Sequence, residues 1–295
     1  MRDLTLSTIV VTVHTATVPR SRRPLTVVPP FHEGGDGEPM VLLHGFTDTC
    51  HAWTPLLPTL TAHHRVFAPT LPGHHGGEPF GPGEVMTISG SLDRVERMLD
   101  ERSIERAHLV GNSLGGWASL LLAERGRALS VVAVCPAGGY DHGSREERAV
   151  LRFFRTNDRL VRSSPRALPA VAASKKLRAF ALRDLIGHPD RIGREDALTL
   201  FHGALGCAVV QDALGIAASS DAFGTVHHSG VPTRILYGTA DRVLTWPAHY
   251  TRMQRMLPDA EYVALDGLGH LPMWEDATQV SRRILEVTAP QAVAA

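Results

Sequence analysis

The sequence is poor in lysine and cysteine and carries no excess charge of either sign. Lysine occurs only at Lys175 and Lys176, so arginine supplies the other 28 of 30 cationic side chains, a skew that points to codon composition rather than to phosphate binding. Thirty acidic residues cancel those cations, which argues against a general binder of nucleic acid or of an acidic membrane surface. Three cysteines, Cys50, Cys135 and Cys207, cannot all pair, and none stands in C-x-x-C spacing. A disulfide framework is thereby excluded, and reduced thiols in a cytoplasmic protein are the expectation. No apolar run approaches the roughly 20 residues of a membrane helix, so no membrane span is expected. The opening LTLSTIVVTVHTATV lacks the basic start, long apolar block and small-residue cleavage site of a signal peptide. Its alternating Val, Thr and Ile read as a strand, and residues 1–24 carry no further signal. Repeats and low-complexity tracts are absent, and nothing in the chain sets an oligomeric state.

The chain has 295 residues, the length of one large domain or of one domain with an insertion. About three-quarters of its surface is buried on folding at this size, enough for a full core without metal or disulfide. Short apolar runs at 40–43, 65–68, 107–111 and 130–135 read as strands buried on both faces. Helical periodicity lies between them at 53–62, 88–101 and 113–124. The segment HEGGDGEP (32–39) reads as a turn joining two early strands. Strands alternating with helices imply a parallel sheet covered on both sides, an α/β fold. The rhythm breaks at 140–222, which holds only helical patterns punctuated by prolines and glycines. Strand signals resume at 233–237 and 261–265, and a last helix covers 278–287. The expected organisation is a core of 1–139 and 223–295 interrupted by a helical insertion, 140–222.

Gly111-Asn112-Ser113-Leu114-Gly115 matches G-x-S-x-G and falls between an apolar strand and a helix. A serine there projects from a tight strand-to-helix turn, and glycines at 111 and 115 let strand and helix approach. A hydroxyl is a poor nucleophile until a base takes its proton and an acid orients that base. Of sixteen histidines, His270 stands in a glycine-bearing loop just past a strand, DGLGH. His44 also follows a strand, but its place before Gly45 suits a loop-structuring role. The doublets at 63–64, 74–75 and 227–228 lack i, i+4 helical spacing, so no metal site is expected. Asp241 follows the strand at 233–237 and completes the order Ser, Asp, His. Asp266 is nearer to His270 in sequence but suits a turn cap, and the position after Cys135 offers only Pro136-Ala137. Two N–H donors for an oxyanion are expected from the backbones of Leu114 and Phe46.

With these residues in view, the chain resembles the α/β-hydrolases over about residues 25–288, in the branch with a serine nucleophile and a helical cap. VLLHGF (41–46), RVFAPTLPGH (65–74), HLVGNSLGG (108–116), ILYGTADRV (235–243) and DGLGHLP (266–272) carry the resemblance. It implies a mostly parallel sheet flanked by helices, a Ser113-His270-Asp241 triad, and 140–222 as the cap over the serine. Relatives that open epoxides or remove halides carry an aspartate nucleophile, which Ser113 replaces here. Thr70 stands where many relatives have aspartate, and Asn112 occurs both in esterases and in carbon–carbon hydrolases.

The expected reaction is hydrolysis of a carboxylic ester of a small to medium, largely apolar molecule through an acyl-enzyme, with no cofactor. Alternatives are carbon–carbon hydrolysis of a diketo acid, acyl transfer to an alcohol, and a ligand-binding protein that keeps the fold without turnover. The first of these needs a cation near the pocket. Arg152, Arg155 and Arg159 recur at near-helical spacing and offer one, although a solvated face explains them more simply. Phe153, Phe154, Phe180 and Phe201 are candidates for the pocket wall or for packing within the cap.

Overall fold

A computed structural model describes residues 28–81 and 83–288. The strand read at 1–24 lies outside the described residues. Seven strands, β1 (Phe31–Gly34), β2 (Pro39–Leu43), β3 (Arg65–Pro69), β4 (Ala107–Asn112), β5 (Ala128–Val134), β6 (Thr233–Gly238) and β7 (Glu261–Leu265), form one sheet. Its order is β1-β3-β2-β4-β5-β6-β7, parallel throughout except for the edge pair β1–β3. HEGGDGEP is therefore strand in its first half, and only the rest of it turns into β2. Its His32 and Glu33 pair with Ala68 and Phe67 across the sheet edge.

The strands sort their side chains by the period-two rule. Val41, Leu43, Leu109, Val131, Ala133 and Ile235 point to one core layer. Met40, Leu42, Val110, Val132, Val134 and Leu236 point to the other. Helices α2 (Ile88–Asp100) and α3 (Leu114–Glu124) cover the first face, where Leu92, Val95 and Leu99 of α2 meet Leu120 and Leu122 of α3. The Thr87 hydroxyl accepts from Gly90 N–H and caps α2. The amphipathic stretch read at 53–62 is a 3-10 turn, Cys50–Trp53, followed by the short α1 (Leu57–Leu60). With the last helix it covers the second face.

Between β5 and β6 the described chain is helical, as its sequence pattern implies: α4 (Arg145–Ser163), α5 (Leu168–Ala173), α6 (Lys175–Leu182), α7 (Arg194–Gly206) and α8 (Val210–Ser219). These helices divide their packing. Ala172, Leu182, Leu198 and Phe201 of α5–α7 join the core layer that holds Trp53, Leu271 and Met273. Leu151 of α4 instead meets Leu214 and Ala217 of α8 and Met86. After β6 come α9 (Thr251–Met256) and α10 (Ala277–Thr288).

Burial lowers the pKa of seven histidines below 6.5: His32, His44, His51, His64, His74, His75 and His108. For His51 and His74 the value falls to about 4. The unfolded chain takes up these protons near pH 6.5 while the folded chain refuses them, so stability is lost as pH falls from 6.5 towards 4. Asp48, raised by burial to about 7, works in the opposite sense as a single group. The thermal midpoint is expected to fall steadily on acidification through this interval in a calorimetric pH series. A flat profile would contradict this account.

Candidate active site

Ser113 joins β4 to α3 with φ 52° and ψ −114°, in the left-handed half of backbone space that a non-glycine residue enters at a cost of about 1–3 kcal/mol. The turn holds because its neighbours lack side chains. A Cβ on Gly111 would lie 2.0 Å from the Gly115 carbonyl oxygen, and one on Gly115 would lie 2.0 Å from the Leu43 carbonyl oxygen. The Ser113 N–H donates to Val134 O at 2.9 Å, and Ser113 O accepts from Trp117 and Ala137 N–H. Strand, turn and helix are thus locked to β5.

The loop after β2 meets this turn. A Cβ on Gly45 would touch Asn112 Oδ1 at 2.9 Å and Ser113 Cβ at 3.3 Å. His44 Nε2 accepts from Leu71 N–H at 2.8 Å, which leaves Nδ1–H to donate to Gly45 O, also at 2.8 Å. Burial and the neighbouring His74 hold His44 neutral, its pKa well below 6.5. The Gly45 carbonyl also accepts from Asp48 N–H. Because a trans peptide points its C=O and N–H oppositely, fixing the Gly45 carbonyl fixes the direction of the Phe46 N–H. Among the described residues neither the Phe46 nor the Leu114 N–H has a hydrogen-bond acceptor. Both residues line the same cavity as Ser113.

Asp241 follows β6 and is 4% exposed, and His270 follows β7 and is 2% exposed. Asp241 Oδ1 accepts from Val243 and Leu244 N–H at 2.7 and 2.8 Å, and Oδ2 meets His270 Nδ1 at 2.7 Å. Such a carboxylate is held in one orientation, which leaves the His270 Nε2 as the free ring nitrogen. Asp266, the nearer acid in sequence, accepts instead from Thr239 Oγ1 at 3.2 Å. Asn112 Nδ2 donates to His270 O at 3.0 Å and to Val134 O at 3.1 Å, tying the histidine loop to the residue before Ser113.

Three contributors escaped the sequence reading. Asn112 supplies the tie just described. Glu275 accepts from Gly269 N–H at 2.7 Å and from His188 N–H at 2.8 Å, which joins the histidine loop to the α6–α7 connection. Cys135 lies beside Asp241 and His270, and its thiol is pushed well above its usual range by burial and by the Asp241 charge. A thiol so protonated is no nucleophile at neutral pH. Of these three, only Asn112 carried a local signal, its place beside the serine.

The donor atoms of Cys135, Asp241 and His270 converge, as do those of His32, Cys50 and His51. In the first group the aspartate and histidine already share a hydrogen bond. In the second, His32 Nε2 and His51 Nδ1 meet at 3.1 Å, while burial raises the Cys50 thiol to about 11. The histidine doublets do not converge: His64 bonds Thr288 Oγ1, His74 bonds Pro72 O, and His228 accepts from Gly230 N–H.

The cavity above Ser113 measures about 280 Å³. Its walls come from α4 (Val150, Leu151, Phe154), α8 (Leu214, Ala217) and the start of α2 (Ile88), and among the described residues no charged side chain lines it. Of the four phenylalanine candidates only Phe154 reaches it. Phe153 packs against the core, Phe201 is buried in the opposite layer, and Phe180 is 66% exposed. Arg152, Arg155 and Arg159 face solvent.

A family model described as the alpha/beta hydrolase family matches residues 40–283. The chain belongs to the alpha/beta hydrolase family. It is 30% identical over 206 residues to epoxide hydrolase EphH of Mycobacterium tuberculosis, covering 68% of this chain and 94% of that one. It is 28% identical over 264 residues to the dihydrolipoyllysine-residue acetyltransferase component of the acetoin cleaving system of Pseudomonas putida, covering 86% of this chain and 65% of that one. Among solved structures, a meta-cleavage product hydrolase from Pseudomonas fluorescens IP01 superposes with a TM-score of 0.67 at 20% identity, over 87% of this chain and 92% of that one. That likeness concerns the fold. For this alpha/beta hydrolase the crowded serine turn gives a direct stability test. Gly115→Ala forces a Cβ onto the Leu43 carbonyl and is expected to cost about 3 kcal/mol or more in urea unfolding. Gly215→Ala, in α8 with nothing within 4 Å of the added Cβ, is expected to be neutral or stabilising by up to about 1 kcal/mol. Equal effects from the two would refute the steric account.

Proposed function

We propose that this alpha/beta hydrolase is a serine esterase acting on neutral, largely apolar carboxylic esters. The observation that carries this reading is the uncharged cavity of about 280 Å³ with Ser113 in its wall, close to the lower end of ligand pockets at about 300–1,000 Å³. His270 takes the Ser113 proton on Nε2 as Oγ attacks the ester carbonyl. The oxyanion draws the Phe46 and Leu114 N–H groups. Collapse expels the alkoxide, which leaves with the proton from His270. Water, deprotonated in turn by His270, then hydrolyses the acyl-serine ester and releases the acid. Asp241 keeps the imidazole in the productive tautomer and stabilises its cationic form. In this reading α4 and α8 are the working part of the cap, since they roof the serine.

The other readings lose support on chemical grounds. Carbon–carbon hydrolysis of a diketo acid calls for a cation at the substrate carboxylate, and the lining offers none. Epoxide opening, suggested by the name of one relative, would leave Ser113 as an ether, which water does not cleave. Turnover there needs a carboxylate nucleophile, whose ester intermediate water can hydrolyse.

The test is hydrolysis of p-nitrophenyl esters of graded acyl length. Wild type is expected to turn them over with a preference for short to medium chains, and Ser113→Ala to lose on the order of 10⁶-fold in kcat. Undiminished turnover by Ser113→Ala, or complete inertness of wild type towards the whole series, overturns the proposal. Phe154→Ala removes a wall of the cavity and is expected to move the optimum to longer acyl chains. An unchanged optimum would show that Phe154 does not size the acyl site.

A further inference from the structure

The balanced net charge conceals a strong separation. Residues 145–183 hold eleven basic and three acidic side chains, a net +8 within a chain of net charge zero. Two of the three acids are withdrawn from the surface. Glu147 is buried against Gly143 N–H and His142, and Asp158 is buried against Arg162 and Gln211. The third, Glu146, is only partly exposed. Ten charged side chains in this segment are exposed, and all ten are cations.

Six of these cations form a stripe. Arg145, Arg148, Arg152, Arg155, Arg159 and Arg162 follow one another along α4 at alternating spacings of three and four, which keeps them on one face of the helix. Val150, Leu151 and Phe154, on the opposite face, line the cavity. Further along lie Arg166, Lys175, Lys176 and Arg183, and α4, α5 and α6 all pack on α7. Among the described residues only Arg162 and Arg183 of the ten have an acidic partner. Elsewhere most of the described arginines are held by carboxylates, among them Arg94 by Glu78 and Glu84, Arg125 by Asp93 and Glu96, Arg234 by Glu261 and Glu286, and Arg252 by Asp221. Pairing is thus commoner among the described arginines elsewhere than on the outer side of the insertion.

The same segment holds three of the five large apolar side chains exposed at the described surface: Leu160, Leu177 and Phe180, at 62%, 51% and 66%. Leu177 and Phe180 are three residues apart on α6, and the Arg183 guanidinium lies 3.9 Å over the Phe180 ring. Exposed apolar side chains among unpaired cations are the pattern of a helix lying in a lipid headgroup layer, where apolar groups enter the acyl boundary and cations meet phosphates. A nucleic acid would use the cations but has no use for exposed Leu160 and Leu177.

We propose that the outer side of α4–α6 docks reversibly on anionic phospholipid membranes. Docking needs no spanning segment, and no single helix among the described residues is long and apolar enough to cross a membrane. It also needs no turnover, so it stands or falls separately from the esterase reading.

The experiment is co-sedimentation of the full chain with vesicles of phosphatidylcholine alone or of equimolar phosphatidylcholine and phosphatidylserine. Wild type is expected to partition at least about tenfold more strongly onto the anionic vesicles and to be released by added salt. The double variant Arg152→Glu with Arg159→Glu is expected to lose about tenfold or more of that partitioning. Leu177→Ser with Phe180→Ser should lose several-fold while keeping the preference for phosphatidylserine. Both pairs should hydrolyse soluble esters as wild type does, and Ser113→Ala should sediment as wild type does. Equal partitioning onto both vesicles, absence from both pellets, or sedimentation of the charge-reversed variant like wild type overturns the proposal. So does a DNA duplex that displaces wild type from the vesicles and loses its hold on the charge-reversed variant, because nucleic acid would then be the partner.

Discussion

Among the described glycines, the approaches least able to admit a side chain are those of α3 to the ends of β2 and β4. Gly115 leaves room for the Leu43 carbonyl, and Gly111 leaves room for Gly115 itself. From this contact follow the left-handed backbone of Ser113, the opening of α3 beneath the cavity, and the nearness of the Gly45–Phe46 peptide to the serine. The same crowding lets one buried amide, Asn112, reach both β5 and the histidine loop. Ser113, the Phe46 and Leu114 N–H groups, Asp241 and His270 are therefore placed by backbone packing at the carboxyl ends of β2, β4, β6 and β7, with few long side chains to order.

The electrostatics match that rigid frame. The Asp241 carboxylate accepts two backbone N–H groups and meets the His270 ring, so its orientation is fixed from both oxygens. His44, neutral and bonded through both ring nitrogens, orients the Gly45–Phe46 peptide without adding a charge beside Ser113.

Much of this arrangement was legible in the sequence because Ser113, Asp241 and His270 each follow a strand with its own local mark. Ser113 has flanking glycines, His270 a glycine-bearing loop, and Asp241 an apolar run ending in Gly238. The parallel sheet was legible for the same reason, since strands buried on both faces are continuously apolar. What was not legible depends on contacts distant in sequence. Glu275 and Cys135 act across loops separated from their partners by folding alone. The edge strand β1 hides in HEGGDGEP because a short exposed edge strand needs no apolar run. The division of the helical insertion between two core layers is likewise invisible to periodicity, which shows that a helix has a buried face but not what covers it. Net charge was the least informative number: a total of zero described neither the carboxylate-paired arginines around the sheet nor the stripe along α4, in which only Arg162 has an acidic partner among the described residues.

That separation bears on how the site selects. With no charge in its lining, the cavity gains from a ligand only apolar area, at about 25 cal/mol per Å² removed from water, and fit. Discrimination among ligands of the cavity then rests on size and shape, and a charged substituent inside it would go uncompensated by the lining of described residues. The arginines of α4 take no part in this, because the helix turns them to solvent while it gives Val150, Leu151 and Phe154 to the cavity. One helix thus presents a cationic exterior and an apolar interior. Asp158, buried and bonded to both Arg162 of α4 and Gln211 of α8, braces the two helices that roof the serine. Whatever contacts the outer stripe therefore bears on the roof of the cavity without entering it. Recognition of a surface and recognition of a substrate can change independently in this chain, since they use different faces of the same element.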